Sequence, residues 1–187
     1  MHRMQLVCHP ATPLPQVESL VVALSPAGDG GLAIEFDCRC GAGVLRLPEA
    51  RPADAADELW RHTCCELFAG VAGDAAYREY NWSPSGQWAM YGFSAYRVRD
   101  ASRPALTLPA PGITFTPDAG GWTLQARIDA AALPGAASGQ IELGVAAVLE
   151  AADGSLSYWA LRHAGTRPDF HSRETFVLRL SGAMEEA

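Results

Sequence analysis

No stretch of the sequence is apolar over the roughly 18 residues that a membrane-spanning helix needs. The first residues include histidine and proline where the apolar core of a secretory signal would lie. From these two absences we expect a protein that stays in the cytoplasm and has no membrane as a partner.

Positive charge is also scarce. The 187 residues include 14 basic side chains, all of them arginine, against 21 aspartates and glutamates, and the formal net charge is −7. Because this excess of negative charge repels a polyanion, nucleic acid is not expected as a partner. The sequence leaves the oligomeric state open.

The motifs of common catalytic centres are missing as well. The sequence contains no GxSxG nucleophile turn, no HExxH zinc motif and no phosphate-binding loop of the GxxxxGK[ST] type. We therefore expect a protein without catalytic activity, and the residues present predict no cofactor.

The five cysteines are an odd number, so they cannot all be paired within one chain. In a reducing compartment they are expected to be free thiols that pack as small apolar side chains. A zinc site is the alternative, because thiolates and imidazole bind zinc, and its candidate ligands are Cys38, Cys40, Cys64 and His62. Their spacing differs from the common CxxC knuckle, so no metal site is predicted.

The clearest structural pattern is a pair of alternating segments around a turn. In the first segment Tyr77, Glu79 and Asn81 share one face of a strand. The second segment covers residues 87–93, and residues 83–86 between the two include proline and glycine. A period of two on both sides of such a turn predicts a β-hairpin.

Further apolar or alternating runs follow one another along the chain and are separated by turns rich in glycine, proline and aspartate. They predict strands at 14–24, 32–38, 41–47, 64–68, 113–116, 122–128, 141–150, 157–161 and 174–180. Loops are expected at 48–57, 100–112 and 162–172, and one helical turn at 129–133 with Asp129 as its N-cap. The pattern indicates an all-β fold: one domain, residues 1–187, built as an antiparallel β-sandwich of about nine or ten strands of the immunoglobulin-like or jelly-roll type.

Aromatic and polar side chains provide the candidate ligand contacts. Most of the five tryptophans can pack in the core, but Trp60 is predicted on a loop rim, where its ring could stack on a sugar or another flat ligand. The last long loop is a second candidate rim, with Arg162, His163 and residues 167–171. A polar set on or beside the central strands consists of Arg61, His62, Glu66, Arg78, Glu79, Asn81 and Gln87.

Two glutamates, Glu66 and Glu79, lie in strand-like segments and could be neighbours on adjacent strands. Two carboxyl groups at a suitable separation act as acid and base or nucleophile in glycoside hydrolysis. The other interpretation is that they pair with Arg78, Arg97 or Arg127 and have no catalytic role.

Five segments together carry a resemblance to a known family. They are ELWRHTCCELFAG, YREYNWSPSGQWAMYGFSAYR, GWTLQARI, GVAAVLEAADGSLSYWALRH and PDFHSRETFVLRL. These segments resemble the DOMON-like type 9 domains, which are similar to the family 9 carbohydrate-binding modules. The resemblance covers most of residues 32–180, and its most specific part is the string YxExNxSPSGxWxxYxFxxYR.

The resemblance implies a β-sandwich, and it implies two kinds of ligand. Some relatives are modules that hold a saccharide between aromatic rings, and others, in redox enzymes, hold a b-type haem. In the sugar-binding relatives one ring lies just ahead of the strand that corresponds to residues 65–68, which is the Trp60 position here. A second ring comes late in the chain, near the segment from Trp159 to Phe170.

A haem would need axial ligands such as methionine with histidine or lysine. Since the chain has no lysine, the available pair is Met90 with His163 or His171. No haem is predicted on this basis.

The sequence therefore predicts a non-catalytic β-sandwich that binds a small, carbohydrate-like ligand. Trp60 would provide the stacking face, and the polar strand residues would provide hydrogen bonds. The predicted ligand-binding residues are Trp60, His62, Glu66, Arg78, Glu79, Asn81, Trp159, Arg162 and His163. The alternatives are a haem-binding electron-transfer domain, a glycoside-processing enzyme and a protein-interaction scaffold.

Overall fold

The computed structural model of the chain describes residues 2–100, 111–135, 140–181 and 183–186. Its strands form two antiparallel sheets, so the predicted all-β sandwich is confirmed. In chain order the strands are β1 (His2–Gln5), β2 (Val7–Cys8), β3 (Val17–Pro26), β4 (Leu32–Cys40), β5 (Cys64–Val71), β6 (Tyr77–Trp82), β7 (Trp88–Ala95), β8 (Val98–Arg99), β9 (Gly112–Asp118), β10 (Gly121–Ile128), β11 (Ile141–Glu150), β12 (Leu156–Ala160), β13 (Leu178–Ser181) and β14 (Ala183–Glu186).

The first sheet has five strands in the order β1-β3-β4-β10-β9. The second has nine, with the main path β14-β13-β11-β5-β6-β7-β8 and with β12 paired to both β11 and β2. β12 and β13 share one edge of β11 because they pair with different parts of it, at residues 146–150 and 141–143. The strands β5 and β6 are therefore central in the second sheet.

The main core lies between the two sheets. Every second residue of a strand points inwards, as the alternation predicts, and Trp82 and Trp122 are the largest fully buried side chains. The first sheet contributes Leu20, Val22, Leu32, Ile34, Phe36 and Leu124, and the second contributes Leu67, Tyr80, Met90, Val145 and Leu149. Each of these large apolar side chains contributes about 1.5–3 kcal/mol by leaving water.

A second apolar cluster covers the outer face of the second sheet. Its buried members are Leu59, Cys64, Phe68, Tyr77, Ala89, Tyr91, Phe93, Ala146, Val148, Ala160, Phe170 and Phe176. Segments outside the sheet lie over this face, among them the 3₁₀ turns Leu59–Arg61 and Arg173–Thr175. β11 is consequently buried on both faces, as its continuous apolar run predicts.

The predicted central hairpin is confirmed. β6 and β7 pair without interruption from Tyr77 opposite Phe93 to Trp82 opposite Trp88. In the turn between them the Gly86 amide donates a 2.9 Å hydrogen bond to a carbonyl at the start of the turn, and Gly86 has a φ of 92°. Glycine adopts this left-handed backbone without steric cost, which explains why it stands there.

The strand predicted at residues 41–47 is wrong. Only Leu45 makes an isolated bridge, to Ala151, and the preceding residues form a turn in which the Val44 amide donates to the Gly41 carbonyl. Gly43 has a φ of 74°, which no extended strand can contain. Glycines that favour a turn outweigh the apolar residues that follow them.

The closing strand predicted at 174–180 is shorter and begins later, at Leu178. Before it the chain forms the 3₁₀ turn Arg173–Thr175, in which the Thr175 hydroxyl donates to the Ser172 carbonyl over 2.8 Å. Phe176 therefore packs in the outer cluster and not in the main core, where the sequence alternation placed it. A side-chain hydroxyl that binds the local backbone competes with strand pairing.

The helical turn predicted at 129–133 is present as a 3₁₀ turn at Ala130–Ala132, but Asp129 does not cap it with its side chain. The Asp129 carboxylate instead lies 3.5 Å from the Arg127 guanidinium.

The loop predicted at 100–112 falls mostly outside the described residues, and its last residue already belongs to β9. More strands are present than predicted, because no predicted run covers the two-residue strands β2 and β8 or the four-residue strands β1 and β14. Within the described ranges, no helix combines the length and apolar character needed to cross a membrane.

Candidate ligand-binding cleft

A cleft of about 600 Å³ opens on the outer face of the second sheet. Its floor is formed by β5, β6, β7, β11 and β12, and its walls by β8, the 3₁₀ turn Leu59–Arg61 and the loop after β12. The residues that line it are Thr12, Trp60, Glu66, Phe68, Glu79, Phe93, Arg97, Arg99, Val148, Tyr158, Arg167, Pro168, Phe170 and His171. A volume of this size is within the range of small-molecule sites.

Two carboxyl groups lie in the floor of the cleft. Glu66 on β5 stands opposite Asn81 on β6, and Glu79 stands opposite Phe68. The two glutamates are thus diagonal neighbours on adjacent strands, with side chains on the same face, a spacing of about 7–8 Å or somewhat less. The sequence expectation that they are neighbours on adjacent strands agrees with this register.

The hydrogen bonds of the two carboxyl groups differ. The Asn81 side-chain amide donates to Glu79 Oε1 over 2.7 Å, while the Cys64 thiol donates to Asn81 Oδ1 over 3.6 Å and so sets the orientation of that amide. Glu66 Oε1 is buried and has no hydrogen-bond partner among the described residues. An unpartnered buried oxygen is costly, and it leaves one hydrogen-bonding position in the cleft floor unfilled by the described residues.

Burial raises the pKa of both glutamates. For Glu66 the removal from water raises the pKa well above its ordinary value, and repulsion by the Glu79 carboxylate raises it further. For Glu79 the same burial raises the pKa, but the Asn81 hydrogen bond and the charges of Arg99 and Arg97 lower it in part. Glu66 is consequently the carboxyl group that more readily keeps its proton.

A histidine closes one side of the floor. His171 Nε2 lies 3.8 Å from Glu79 Oε2, and His171 Nδ1 lies 2.8 Å from the Tyr77 hydroxyl. Burial, together with the charge of Arg97, lowers the pKa of His171 to about 4. The imidazole is therefore neutral at pH 7, and its contact with Glu79 is not an ion pair.

Aromatic rings border the carboxyl groups. Trp60 lies on the 3₁₀ turn before β5, is partly exposed, and meets the Tyr91 ring edge-on with 5.8 Å between ring centroids. Phe93 is stacked on Tyr77 at 4.7 Å with the planes only 4° apart. Further apolar lining comes from Phe68, Tyr158 and Phe170.

Two arginines reach the cleft from the hairpin that joins β7 to β8. The register of this hairpin shifts between Phe93 and Ala95, and Arg97 in its turn has a φ of 56°. The Arg97 guanidinium lies 2.9 Å from the Asp169 carboxylate. The Arg99 guanidinium lies over the Tyr91 ring, 3.7 Å from its centroid, a cation–π contact.

Of the predicted ligand-binding residues, the structure brings Trp60, Glu66 and Glu79 together in the cleft. Asn81 lies beside them in the same face and binds Glu79, although it does not line the cavity itself. Glu66, Glu79 and Asn81 lie on the outer face of the central strands, and Trp60 lies on the turn that leads into β5.

Two predicted residues point the opposite way. Arg78 lies on the inner side of β6 and donates to the Ala132 carbonyl, so it cannot reach the cleft. Trp159 is buried in the main core, where its indole donates to the Ser157 hydroxyl over 2.9 Å. The alternation of β6 already sets Arg78 on the face opposite to Glu79, so its inclusion in the site contradicted the pattern of the strand.

Three other predicted residues lie elsewhere on the surface. His62 is largely exposed, and its Nδ1 lies 2.6 Å from Glu150 Oε2. His163 packs edge-on against His9 and places Nε2 2.8 Å from the Val7 carbonyl oxygen. Arg162 is exposed and does not line the cleft.

The axial pairs considered for a haem are separated by the second sheet. The Met90 side chain is in the main core between the sheets, whereas His171 lines the cleft on the outer face, so they cannot bind one iron together. His163 is likewise outside the main core, against Phe170 of the outer cluster.

The side chains of the conceivable zinc site do not converge either. Cys38 and Cys40 are in the main core, while Cys64 belongs to the outer cluster and His62 binds Glu150. Among the described residues there is no group of three or more His, Cys, Asp or Glu side chains that could hold a metal ion.

Several lining residues were not predicted from the sequence, although part of the signal was present. Phe68 and Phe93 share the strand faces of Glu66 and Glu79, so the period of two could have identified them. Arg99 could not be found this way, because it depends on a two-residue edge strand. Arg167, Phe170 and His171 come from the late loop that the sequence marked as a candidate rim.

No protein-family model matches the sequence, and no curated protein matches it significantly. Among solved structures, the fold is similar to that of a protein from Bacteroides uniformis ATCC 8492 that is provisionally described as carbohydrate-binding. The TM-score is 0.64 and the sequence identity 15%, and the alignment covers 94% of this chain and 84% of that chain. At this identity the similarity establishes a shared fold.

Proposed function

We propose that the chain is a single, non-catalytic, cytoplasmic domain that binds a small saccharide in the cleft. One observation carries this proposal: the Glu66 carboxyl group is buried in the cleft floor, one of its oxygens has no hydrogen-bond partner within the described part of the chain, and aromatic rings surround it. A sugar hydroxyl can both donate and accept a hydrogen bond, so it satisfies Glu66 in either protonation state.

The aromatic rings around the carboxyl groups suit the apolar face of a sugar ring. A saccharide presents C–H groups on one side of its ring and hydroxyl groups at its edge, which matches an apolar wall beside a polar floor. Trp60 is the partly exposed ring among the lining residues that lies on a turn and not on a strand. We assign it the stacking contact, and Glu66 and Glu79 the hydrogen bonds to hydroxyl groups.

The shared fold with a protein provisionally described as carbohydrate-binding supports this choice of ligand class. The absence of common catalytic motifs from the sequence supports binding without turnover.

A second candidate function is glycoside hydrolysis, and the pair of carboxyl groups favours it. Two adjacent carboxyl groups with different pKa values are the arrangement that provides an acid and a base. Incubation with nitrophenyl glycosides separates the two functions. Binding alone predicts saturation without release of nitrophenol, and steady release that Glu66→Gln abolishes would establish hydrolysis instead.

Isothermal titration against monosaccharides and disaccharides, with Trp60→Ala and Arg61→Ala as matched variants, tests the proposal. Loss of the Trp60 stacking contact should weaken binding about ten- to a hundredfold, while the fold is retained. Arg61 is the next residue on the same turn, but it pairs with Glu58 and does not line the cleft, so its variant should bind normally. If no sugar binds the parent protein, the proposal is wrong.

A further inference from the structure

Three cations are among the residues that line the cleft, although the chain as a whole carries a net charge of −7. They are Arg97 and Arg99 from the β7–β8 hairpin and Arg167 from the loop after β12. Each of these cations is a guanidinium group, and the chain has no lysine. The planar fork of N–H donors in a guanidinium group binds a carboxylate through two parallel hydrogen bonds.

The carboxylates around the cleft neutralise these arginines only in part. Arg97 is paired at 2.9 Å with Asp169, which also accepts a 2.8 Å hydrogen bond from the Tyr96 hydroxyl. Arg99 lies 4.0 Å from the exposed carboxylate of Asp57, beyond hydrogen-bond distance. Arg99 thus has one long ion pair and Arg167 forms none with any described residue, so both guanidinium groups have donors left for a ligand anion.

The floor of the cleft does not oppose an anion strongly. Burial raises the pKa of Glu66, which favours its uncharged form, and mutual repulsion disfavours two ionised carboxylates in the floor. An uncharged carboxyl group donates a hydrogen bond through its O–H, so it can bind an oxygen acceptor that an ionised carboxylate would repel. The field of the two hairpin arginines also reaches the floor, where it lowers the pKa of His171 in addition to the effect of burial.

We propose, on the basis of the proposed function, that the saccharide of this cleft carries a carboxylate, as a uronic acid does, and that Arg99 and Arg167 bind that carboxylate. The Trp60 ring, whose centroid lies 5.9 Å from Arg99 Cζ, then packs against the sugar ring, and Glu66 binds a hydroxyl group. The arginines determine the class of sugar, whereas the ring and the floor determine that a sugar binds at all.

The proposal is tested by isothermal titration with matched pairs of neutral and acidic sugars: glucose and glucuronate, galactose and galacturonate, mannose and mannuronate. In at least one pair the acid should bind about tenfold more tightly, since one charge-assisted hydrogen bond corresponds to that factor. The preference should shrink between about 0.1 M and about 1 M salt, because Arg99 is half exposed and Arg167 is exposed, so salt screens both charges.

Two variants locate the preference. Arg167→Gln and Arg99→Gln should each lower the affinity for the acid towards that for the neutral sugar, so that the ratio of the two affinities falls. Arg162→Gln is the matched control, since Arg162 is an exposed arginine of the same loop outside the cleft. Arg99 also packs on Tyr91, so its replacement can affect the fold. If Arg99→Gln lowers stability, the result for Arg167→Gln is the decisive one.

The outcomes separate this inference from the proposed function. If neutral and acidic sugars bind equally well in every pair, the carboxylate subsite is wrong while saccharide binding stands. If the acid is preferred but neither cleft variant reduces the preference, the subsite is wrong as well. If no sugar of any pair binds, saccharide binding fails and the subsite fails with it.

Discussion

Individual buried side chains determine the chemistry of the cleft. Glu66 is the diagonal neighbour of Glu79 on the adjacent strand, and His171 Nε2 lies 3.8 Å from Glu79 Oε2. Burial drives both Glu66 and His171 towards their uncharged forms. Burial raises the pKa of the Glu66 carboxyl group and lowers the pKa of the His171 imidazole. The floor therefore presents hydrogen-bonding groups with little net charge, and the arginines at the edge contribute the positive potential.

The first test at this scale is the pH dependence of stability in Glu66→Gln. The pKa of Glu66 is raised in the folded state, so between the unfolded value of 4.5 and the folded value the native protein holds a proton that the unfolded chain releases. Stability of the parent protein should therefore fall as the pH rises above about 4.5, and this part of the loss should vanish in the glutamine variant.

Urea unfolding at several pH values measures this effect. The free energy of unfolding of Glu66→Gln should rise relative to the parent protein between pH 4 and pH 7, whereas Glu49→Gln, at an exposed site, should follow the parent. A difference that stays constant over this pH range would show that Glu66 ionises normally in the folded protein.

The second test is the titration of His171, followed by NMR. Its ring should stay neutral until the pH approaches about 4, because it is buried beside Tyr77 and near Arg97. The sign for stability is opposite to that of Glu66: the unfolded chain takes up the proton first, so stability falls as the pH drops from about 6.5 towards 4. A midpoint near 6.5 for His171 would mean that the ring is solvated and does not close the cleft.

The sequence predicted part of the site at the scale of residues. A period of two is sufficient to place Glu79 and Asn81 on one face of β6, and it also excludes Arg78, which the prediction nevertheless included. That Glu66 shares this face depends on the register between β5 and β6. Arg99 could not be predicted, because its position depends on a short edge strand with an irregular register and not on any repeating pattern.

At the scale of elements, the β6–β7 hairpin contributes Glu79 and Phe93 to the cleft, and its turn sets the register in which β6 and β7 pair. Gly86 has a φ of 92°, and a Cβ at this position would lie 3.3 Å from the Arg51 carbonyl oxygen. Gly86→Val should therefore destabilise the protein by about 1 kcal/mol or more. Gly28→Val is the control, since a Cβ there meets no atom within 4 Å.

Thermal melts of the two variants check this prediction. A melting temperature of Gly86→Val equal to that of Gly28→Val would contradict the left-handed turn. A clear loss confined to Gly86→Val would support it.

Strand prediction from the sequence succeeded where alternation is long and failed where local contacts decide. The paired runs of β4, β6, β10 and β11 match the predicted faces. The segment before β13 does not, because Thr175 binds the local backbone and Arg173 binds both the Val71 carbonyl and Glu142. Such contacts depend on tertiary neighbours, which periodicity does not record.

At the scale of the whole molecule, the second sheet is covered on both faces: the first sheet packs on one, and loops and 3₁₀ turns pack on the other. This arrangement recesses the outer face and leaves the cleft between the covering segments. It also buries four of the five cysteines, while Cys8 remains partly exposed.

Thiol reactivity tests this arrangement. In the native protein Cys8 should react with a thiol reagent, whereas Cys38, Cys40, Cys64 and Cys65 should react only after unfolding, because burial removes access and raises their pKa values. Cys8→Ser should abolish the native reaction. Rapid modification of two or more thiols in the folded parent protein would contradict the described packing.

Binding of a saccharide beside Trp60 in the outer-face cleft should change the indole N–H signals of the tryptophans in a selective way. Trp60 lines the cleft, while Trp82, Trp88, Trp122 and Trp159 are buried in the main core. In an NMR titration with the neutral and acidic sugars, we expect a saturable shift of the Trp60 signal, assigned with Trp60→Phe, and small changes in the other four. No shift of the Trp60 signal with any of these sugars, or shifts confined to the core tryptophans, would contradict it.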